Sequence, residues 1–237
     1  MNFAFLLMMT STPGFAAEPG TYALTINAAT QAKIPFFGWT RSDTRSIVMA
    51  TLERNETGTR QTHRVCDISI RTRGIPVKTI IPDAFVKALP IKNYAIDLDE
   101  QEGTLRYRAN MGVDNVGMKP SAATVPRTPD DPNVVDMEGD GFPGATVLVN
   151  VPMFAQAELY VSQRGSMQLD GTVQPDGSVS GTVNVGPTVQ HTLAASNILF
   201  KSSPPIKPEP ERSWFRLTPI SGEANCETVL KLAATER

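Results

Sequence analysis

Residues that carry chemistry are scarce in this chain. Its 237 residues hold two cysteines, two histidines and two tryptophans. Neither histidine, His63 or His191, sits in an H-E-x-x-H pattern, which excludes the common helical zinc hydrolase site. The closest approach to a nucleophile elbow is "GSVSG", Gly177 to Gly181, where Val179 occupies the place of the serine. Neither cysteine has a second Cys at ligand spacing, and His63 alone lies near Cys66, so a structural zinc site is a poor fit. There is no basic excess: 22 Lys and Arg stand against 24 Asp and Glu, for a net charge of −2. A nucleic-acid or anionic-membrane surface would need a clear cationic surplus, so both partners are excluded at the level of the whole chain. Long apolar runs are missing too, and the mature chain is expected to have no transmembrane span.

What is present reads as strand. "GTYALTINA", "SIVMATLER", "RVCDISIR", "NYAIDLD" and "TLRYRANM" alternate in the first half of the chain. "ATVLVNV", "AQAELYVSQR", "SMQLDGTV", "SVSGTVNV", "VQHTLAASNILF", "WFRLTPI" and "ETVLKL" follow in the second. Period-two segments separated by Gly, Pro and Asp-Gly predict an all-β fold. The expectation is a single antiparallel β-barrel or barrel-like sandwich of about twelve strands with one short helix, over "PDAFVKAL", Pro82 to Leu89. In "DGTVQPDGSVSGTV", Pro175-Asp176-Gly177 marks the clearest hairpin turn. "DLDEQEG", Asp97 to Gly103, reads as a strand end and turn, and "RQTHRVCDISIRTR", Arg60 to Arg73, as a strand with a solvated basic face. Residues 118–144, with five prolines, interrupt the pattern as an acidic, Pro-rich excursion that either joins two halves of one barrel or divides two β units. One domain over 18–237 is favoured, because the strands before the excursion are too few and too polar to close a core alone.

The first seventeen residues have the pattern of a signal peptide. An apolar run, Phe3 to Met9, precedes Pro13-Gly14, and Gly14 and Ala16 fit the small-residue positions before a cut after Ala16 or Ala17. No Lys or Arg precedes the run, a departure from the usual pattern. Export to the periplasm, the outer membrane or the exterior is the resulting expectation. In such a compartment Cys66 and Cys226 would form one disulfide; two isolated buried thiols are the alternative.

One segment has the residues for a ligand. "VVDMEGDGFPGATVLVNV", Val134 to Val151, contains G-x-G-x-x-G at Gly139, Gly141 and Gly144, but a strand rather than a helix follows, so a dinucleotide loop is excluded. The same stretch spells D-x-E-x-D-G, and Asp136, Glu138 and Asp140 are candidate calcium ligands, with Asp130, Asp131 and Asn133 nearby. The twelfth position of a calcium loop counted from Asp136 is Val147, not an acid, so any site would be weak, and a solvated acidic turn is the alternative.

"DDPNVVDMEGDGFPGATVLVNV" followed by "ELYVSQRGSMQLDG" resembles a set of uncharacterised exported proteins of Gram-negative bacteria. These carry a D-P-x-V-x-D-x-D-G-D-G-x-P-G segment and then a Y-V-x-Q-R strand. The likeness spans Asp130 to Gly171, with Glu138 where Asp is more usual. It implies export and an all-β fold, and no catalytic residue. Trp39 and Trp214 flank no sugar-binding motif, and Gln163 and Arg164 are read as a polar pair ending a strand, at a barrel mouth or in water.

Three functions follow, in order. The first is non-catalytic binding of a small or apolar ligand inside a barrel, the second a structural or adhesin-like envelope component with a calcium-stabilised loop, the third a hydrolase. Inward side chains separate the first two: small ones leave a cavity, large ones fill it.

Overall fold

The computed structural model describes residues 17–34, 37–153 and 155–235. The apolar run and the cleavage positions up to Ala16 lie outside the described residues. Twelve strands form one antiparallel sheet. They are β1 (Gly20–Ile34), β2 (Gly38–Asn55), β3 (Gly58–Thr72), β4 (Lys78–Ile80), β5 (Lys92–Gln101), β6 (Thr104–Val116), β7 (Ala145–Val151), β8 (Ala155–Val173), β9 (Val179–Val185), β10 (Val189–Ala195), β11 (Ile206–Pro208) and β12 (Trp214–Pro219). Two α-helices accompany them, α1 (Asp83–Ala88) and α2 (Cys226–Thr235).

Eight of the strands close a ring in the order β8-β6-β5-β3-β2-β1-β12-β9, and β9 returns to β8. Closure removes the free edges of this part of the sheet. Strands from both sides of the 118–144 excursion share seams, β6 with β8 and β1 with β12. Period-two alternation drives the filling of the ring. Tyr22, Leu24 and Ile26 of β1 point inward, as do Val48, Ala50 and Leu52 of β2, Tyr107, Ala109 and Met111 of β6, and Phe215 and Leu217 of β12. The interior is therefore occupied by large side chains, with Tyr107 and Phe215 in contact at a ring separation of 5.7 Å.

The segments read as separate strands "AQAELYVSQR" and "SMQLDGTV" are one strand, β8, 19 residues long. Gly165 between them keeps extended backbone and does not break it. The second half of β8 belongs to the ring, pairing with β6 and β9, while its first half projects beyond and pairs with β7 and β10. β1, β2 and β3 overshoot the ring in the same way. A second core fills the space between these extensions: Phe85 of α1, Ala145 and Val161, with Ile68, Leu159 and Val147 against them.

Two readings of local structure change. "ETVLKL" is helix, not strand, and Cys226 is its first residue. Val229 and Ala233 are buried at i and i+4 against Ala23 and Ile47 on the outer face of β1 and β2, Asn225 Oδ1 accepts from Thr228 N at 2.9 Å as the N-cap, and Glu227 pairs with Lys231 at 2.7 Å. "VQHTLAASNILF" is a strand only as far as Ala195, then turns through a 3-10 segment, Ile198–Phe200. The helix over Pro82 to Leu89 and the turn at Pro175-Asp176-Gly177 form where the sequence placed them.

Candidate functional site

The acidic loop is a tightly organised element. Asp136 accepts three backbone N–H groups, from Gly139 at 2.7 Å, Asp140 at 3.1 Å and Gly141 at 2.8 Å. These bonds, that of Gly141 first, hold its carboxyl below the usual range. Asp140 accepts from Phe142 N and from the Thr146 hydroxyl at 2.8 Å, and Glu138 accepts Thr146 N at 3.0 Å. Glu138 is half-buried, and burial, followed by the charges of Asp140 and Asp136, raises its pKa even though the N–H of Thr146 works the other way. Its second oxygen, Oε2, is buried with no hydrogen-bond partner.

Neighbouring contacts fix the loop in place. Phe142 stacks on Tyr160 at 4.5 Å, and the Tyr160 hydroxyl, pushed up to about 12 by burial and by Glu158, donates to Glu158 at 2.8 Å. Gly144, at φ +90°, bonds Val135 and lies so close to β8 that a Cβ would stand 2.5 Å from the Val161 carbonyl oxygen. One ligand atom each from Asp136, Glu138 and Asp140 falls within 4.8 Å of the other two. The three expected calcium ligands are thus brought together. Asp131 instead accepts Asn133 N, closing its own turn.

Cys66 and Cys226 are bridged, with Cα atoms 5.3 Å apart. The bond ties β3 to the start of α2, which lies over β1 and β2 rather than in the sheet.

His63 lies on the face of β3 opposite the solvated basic one. It is buried, 4% exposed, in a polar cluster set into the wall of the barrel. Tyr107 donates to Gln61 Oε1 at 2.7 Å, Gln61 Nε2 donates to the Tyr94 hydroxyl at 2.8 Å, and that oxygen lies 3.2 Å from His63 Nδ1. Burial, with Lys92 adding to it, lowers the His63 pKa to about 3, so the ring is neutral. Lys92 itself pairs with Asp114 at 2.5 Å. The chain of bonds runs from Tyr107 to His63 among side chains of β3, β5 and β6 that face the barrel core. His191 lies on β10 opposite Ser162, with its pKa lowered by partial burial and Arg127.

Gln163 and Arg164 do not end a strand. They sit in the middle of β8, and Arg164 Nη1 donates to the Ala122 carbonyl at 2.7 Å and reaches Asn115 at 3.3 Å, pinning the excursion to the sheet. Asp97 lies on β5, and the following turn runs through Glu102 and Gly103, both with positive φ. Among the described residues no helix is long and apolar enough to cross a membrane.

Comparison of the chain with protein-family models, with curated proteins and with solved structures found no match.

Proposed function

We propose that this chain is an exported, non-catalytic component of the Gram-negative cell envelope, structural or adhesin-like, that acts through its outer surface. The carrying observation is the filled barrel. Inward positions hold Tyr107, Phe215, Leu24, Leu52, Leu169 and Leu217, all almost fully buried, so the criterion set by side-chain size favours a solid scaffold over an interior ligand site. The Cys66–Cys226 bridge supports an oxidising compartment. The polar side chains of the interior are spent on one another, which supports a role without catalysis.

The test is expression of the whole chain in a Gram-negative host, followed by fractionation and mass spectrometry. The expected product is found in the envelope fractions, begins at Ala17 or Glu18 and has no free thiol. A cytoplasmic protein with an intact "MNFAF" terminus overturns the reading. Stoichiometric binding of a fatty acid or similar apolar probe would return the function to the barrel interior.

A weak calcium staple at Asp136, Glu138 and Asp140 is part of this reading, supported by the convergence of the three carboxylates. Too few acidic donors are present for a tight site, so affinity belongs with extracellular modules, about 10⁻⁴ to 10⁻³ M. Glu138→Gln is the diagnostic variant. In chelator it relieves repulsion around a half-buried acid and leaves stability unchanged or raised. In millimolar calcium it removes a ligand, and the melting temperature falls below that of the parent. Equal melting of the parent in calcium and in chelator refutes the staple.

A further inference from the structure

The far ends of β1, β2 and β11 place one row of cations across a single face of the sheet. Lys207 pairs with Gln31, Gln31 with Arg41, and Arg73 N donates to the Arg41 carbonyl at 2.8 Å. Paired residues of an antiparallel sheet project on the same side, so these four side chains stand side by side. Two residues further out on the same face, Lys33 pairs with Trp39. Two residues further in, Asp43 and Glu209 form an acidic row beneath the cations, with side chains 13% and 7% exposed.

That inner row fixes the outer one. Glu209 Oε1 accepts Arg41 Nε at 3.0 Å and Gln31 Nε2 at 2.5 Å. Asp43 Oδ2 accepts Arg73 Nε at 2.6 Å and faces its Nη2 at 2.5 Å, so Arg73 turns Nη1 outward. A guanidinium held through its Nε has given up rotamer freedom before any ligand arrives, and its remaining N–H groups are already aimed. Arg41 offers both Nη groups, which have no partner among the described residues, on a side chain 52% exposed. Lys207 Nζ lies 4.3 Å from the centre of the Trp39 ring, and Trp39 and Phe37 are 43% and 45% exposed. Gln31, Phe37, Trp39, Arg41, Arg73 and Ile75 line a groove of about 550 Å³.

Arg41 and Arg73 line the groove, and the face around it adds Lys33 and Lys207 against two acids, Asp43 and Glu209, on a chain whose net charge is −2. Its chemistry therefore calls for an anion, and its flat apolar patches for a ring with an apolar face beside that anion. The groove is open, with half of its aromatic surface in water. A small ligand needs enclosure of most of its surface, whereas a repeating chain can lie along a shallow track. We infer that this face binds an acidic glycan, a sugar chain or headgroup bearing carboxylate or phosphate, with the anion on Arg41 and Arg73 and a sugar ring against Trp39 and Phe37. The inference rests on the reading that the outer surface carries the function, and it names the surface.

The test uses the whole oxidised protein on a Trp214→Phe background, so that the fluorescence reports Trp39. It is titrated at low salt with oligogalacturonate, with a phosphorylated glucosamine disaccharide, with a neutral cello-oligosaccharide and with a thymidine oligonucleotide. Saturable quenching by one or both acidic sugars and none by the neutral one is expected. The carboxylate and phosphate arms then say whether a polysaccharide or a lipid-linked headgroup is the source. Trp39→Ala, followed by calorimetry, and Arg41→Gln are each expected to weaken binding about tenfold; Arg41→Gln also takes a partner from the buried Glu209 and lowers the melting temperature, so the exposed Trp39→Ala is the variant expected to melt near the parent. No binding of either acidic sugar, equal binding of the neutral one, tighter binding of the oligonucleotide, or unchanged affinity in both variants overturns the proposal. None of these results alters the fractionation and thiol outcomes that test export.

Discussion

His63 is a titratable group that the fold must keep neutral. Its ring is enclosed with Gln61 and Tyr94, next to the Lys92 ammonium, and its pKa falls from 6.5 to about 3. Below pH 6.5 the unfolded chain takes up a proton at this position that the folded protein refuses until about pH 3. The contribution is therefore complete above pH 6.5 and is lost as pH falls through the window, by up to about 1.4 kcal/mol per pH unit. His63→Gln keeps a polar partner for Tyr94 and removes the titration, so denaturation between pH 6.5 and pH 4 should show a shallower loss of stability than in the parent. Parallel curves would mean that other groups carry the acid sensitivity. This residue was hard to find in the sequence. Arg60, Thr62 and Arg64 announce a solvated face, but the opposite face offers Gln61 and His63, and hydrophobic alternation does not mark polar residues that satisfy one another inside a barrel wall. Trp39 reads as flanking no sugar-binding motif and Arg41 carries no local signal for a related reason: their partners, Lys207 and Glu209, lie 168 positions away from them.

Among the elements, β8 and β9 meet closely at a pair of glycines. Gly171 faces Gly181 across it, and the missing side chains let Phe215 press into the wall. A methyl group on Gly171 would meet Phe215 Cζ at 2.7 Å and the Ser180 carbonyl oxygen at 2.6 Å. Gly171→Ala should lower stability by about 3 kcal/mol, the upper part of the usual overpacking range. On a Phe215→Leu background the penalty should shrink, because one of the two clashes is gone; equal penalties in both backgrounds would place the strain in the backbone alone. Helix α2 makes the complementary case. "ETVLKL" carries both periods, alternation and an i, i+4 apolar pair, and local sequence does not choose between them. Asn225 as a cap and the outer face of β1 and β2, where Ala23 and Ile47 need cover, decide for helix. Arg45 adds a bond from its Nη2 to the Ala233 carbonyl at the helix end, at 2.8 Å. The bridge at Cys226 adds a covalent tie to this packing. Cutting a loop of 160 residues free should destabilise the protein by about 5 kcal/mol on the chain-entropy model, so Cys66→Ser with Cys226→Ser should unfold at markedly lower denaturant than the oxidised parent. A shift of less than a fifth of that size would show that the denatured chain gains little freedom.

For the whole molecule, the excursion over 118–144 raised the question of one barrel or two β units, and the seams bear on it. β6 ends before the excursion and pairs with β8 after it, β1 pairs with β12, and Cys66 is joined to Cys226 across the same divide. Short-range pattern could not reveal this, because each strand in isolation is compatible with either partner set. Two strand seams and one disulfide thus cross from one half of the chain to the other. The turn at Thr128 to Asp131, closed by Asp131 N on the Thr128 carbonyl, is exposed and belongs to no strand, so it can be opened without touching a seam. With a protease recognition sequence inserted after Pro129, cleavage of the folded protein should leave both fragments in one particle by gel filtration. The same particle should persist after reduction, because β6 still pairs with nineteen-residue β8 and β1 with β12 across the cut. Denaturant added to the reduced, cut protein should release both fragments in one transition, since the ring draws its strands from both halves. Fragments that part on reduction without denaturant, with each keeping its own circular dichroism, would establish two independent β units held together by the bridge.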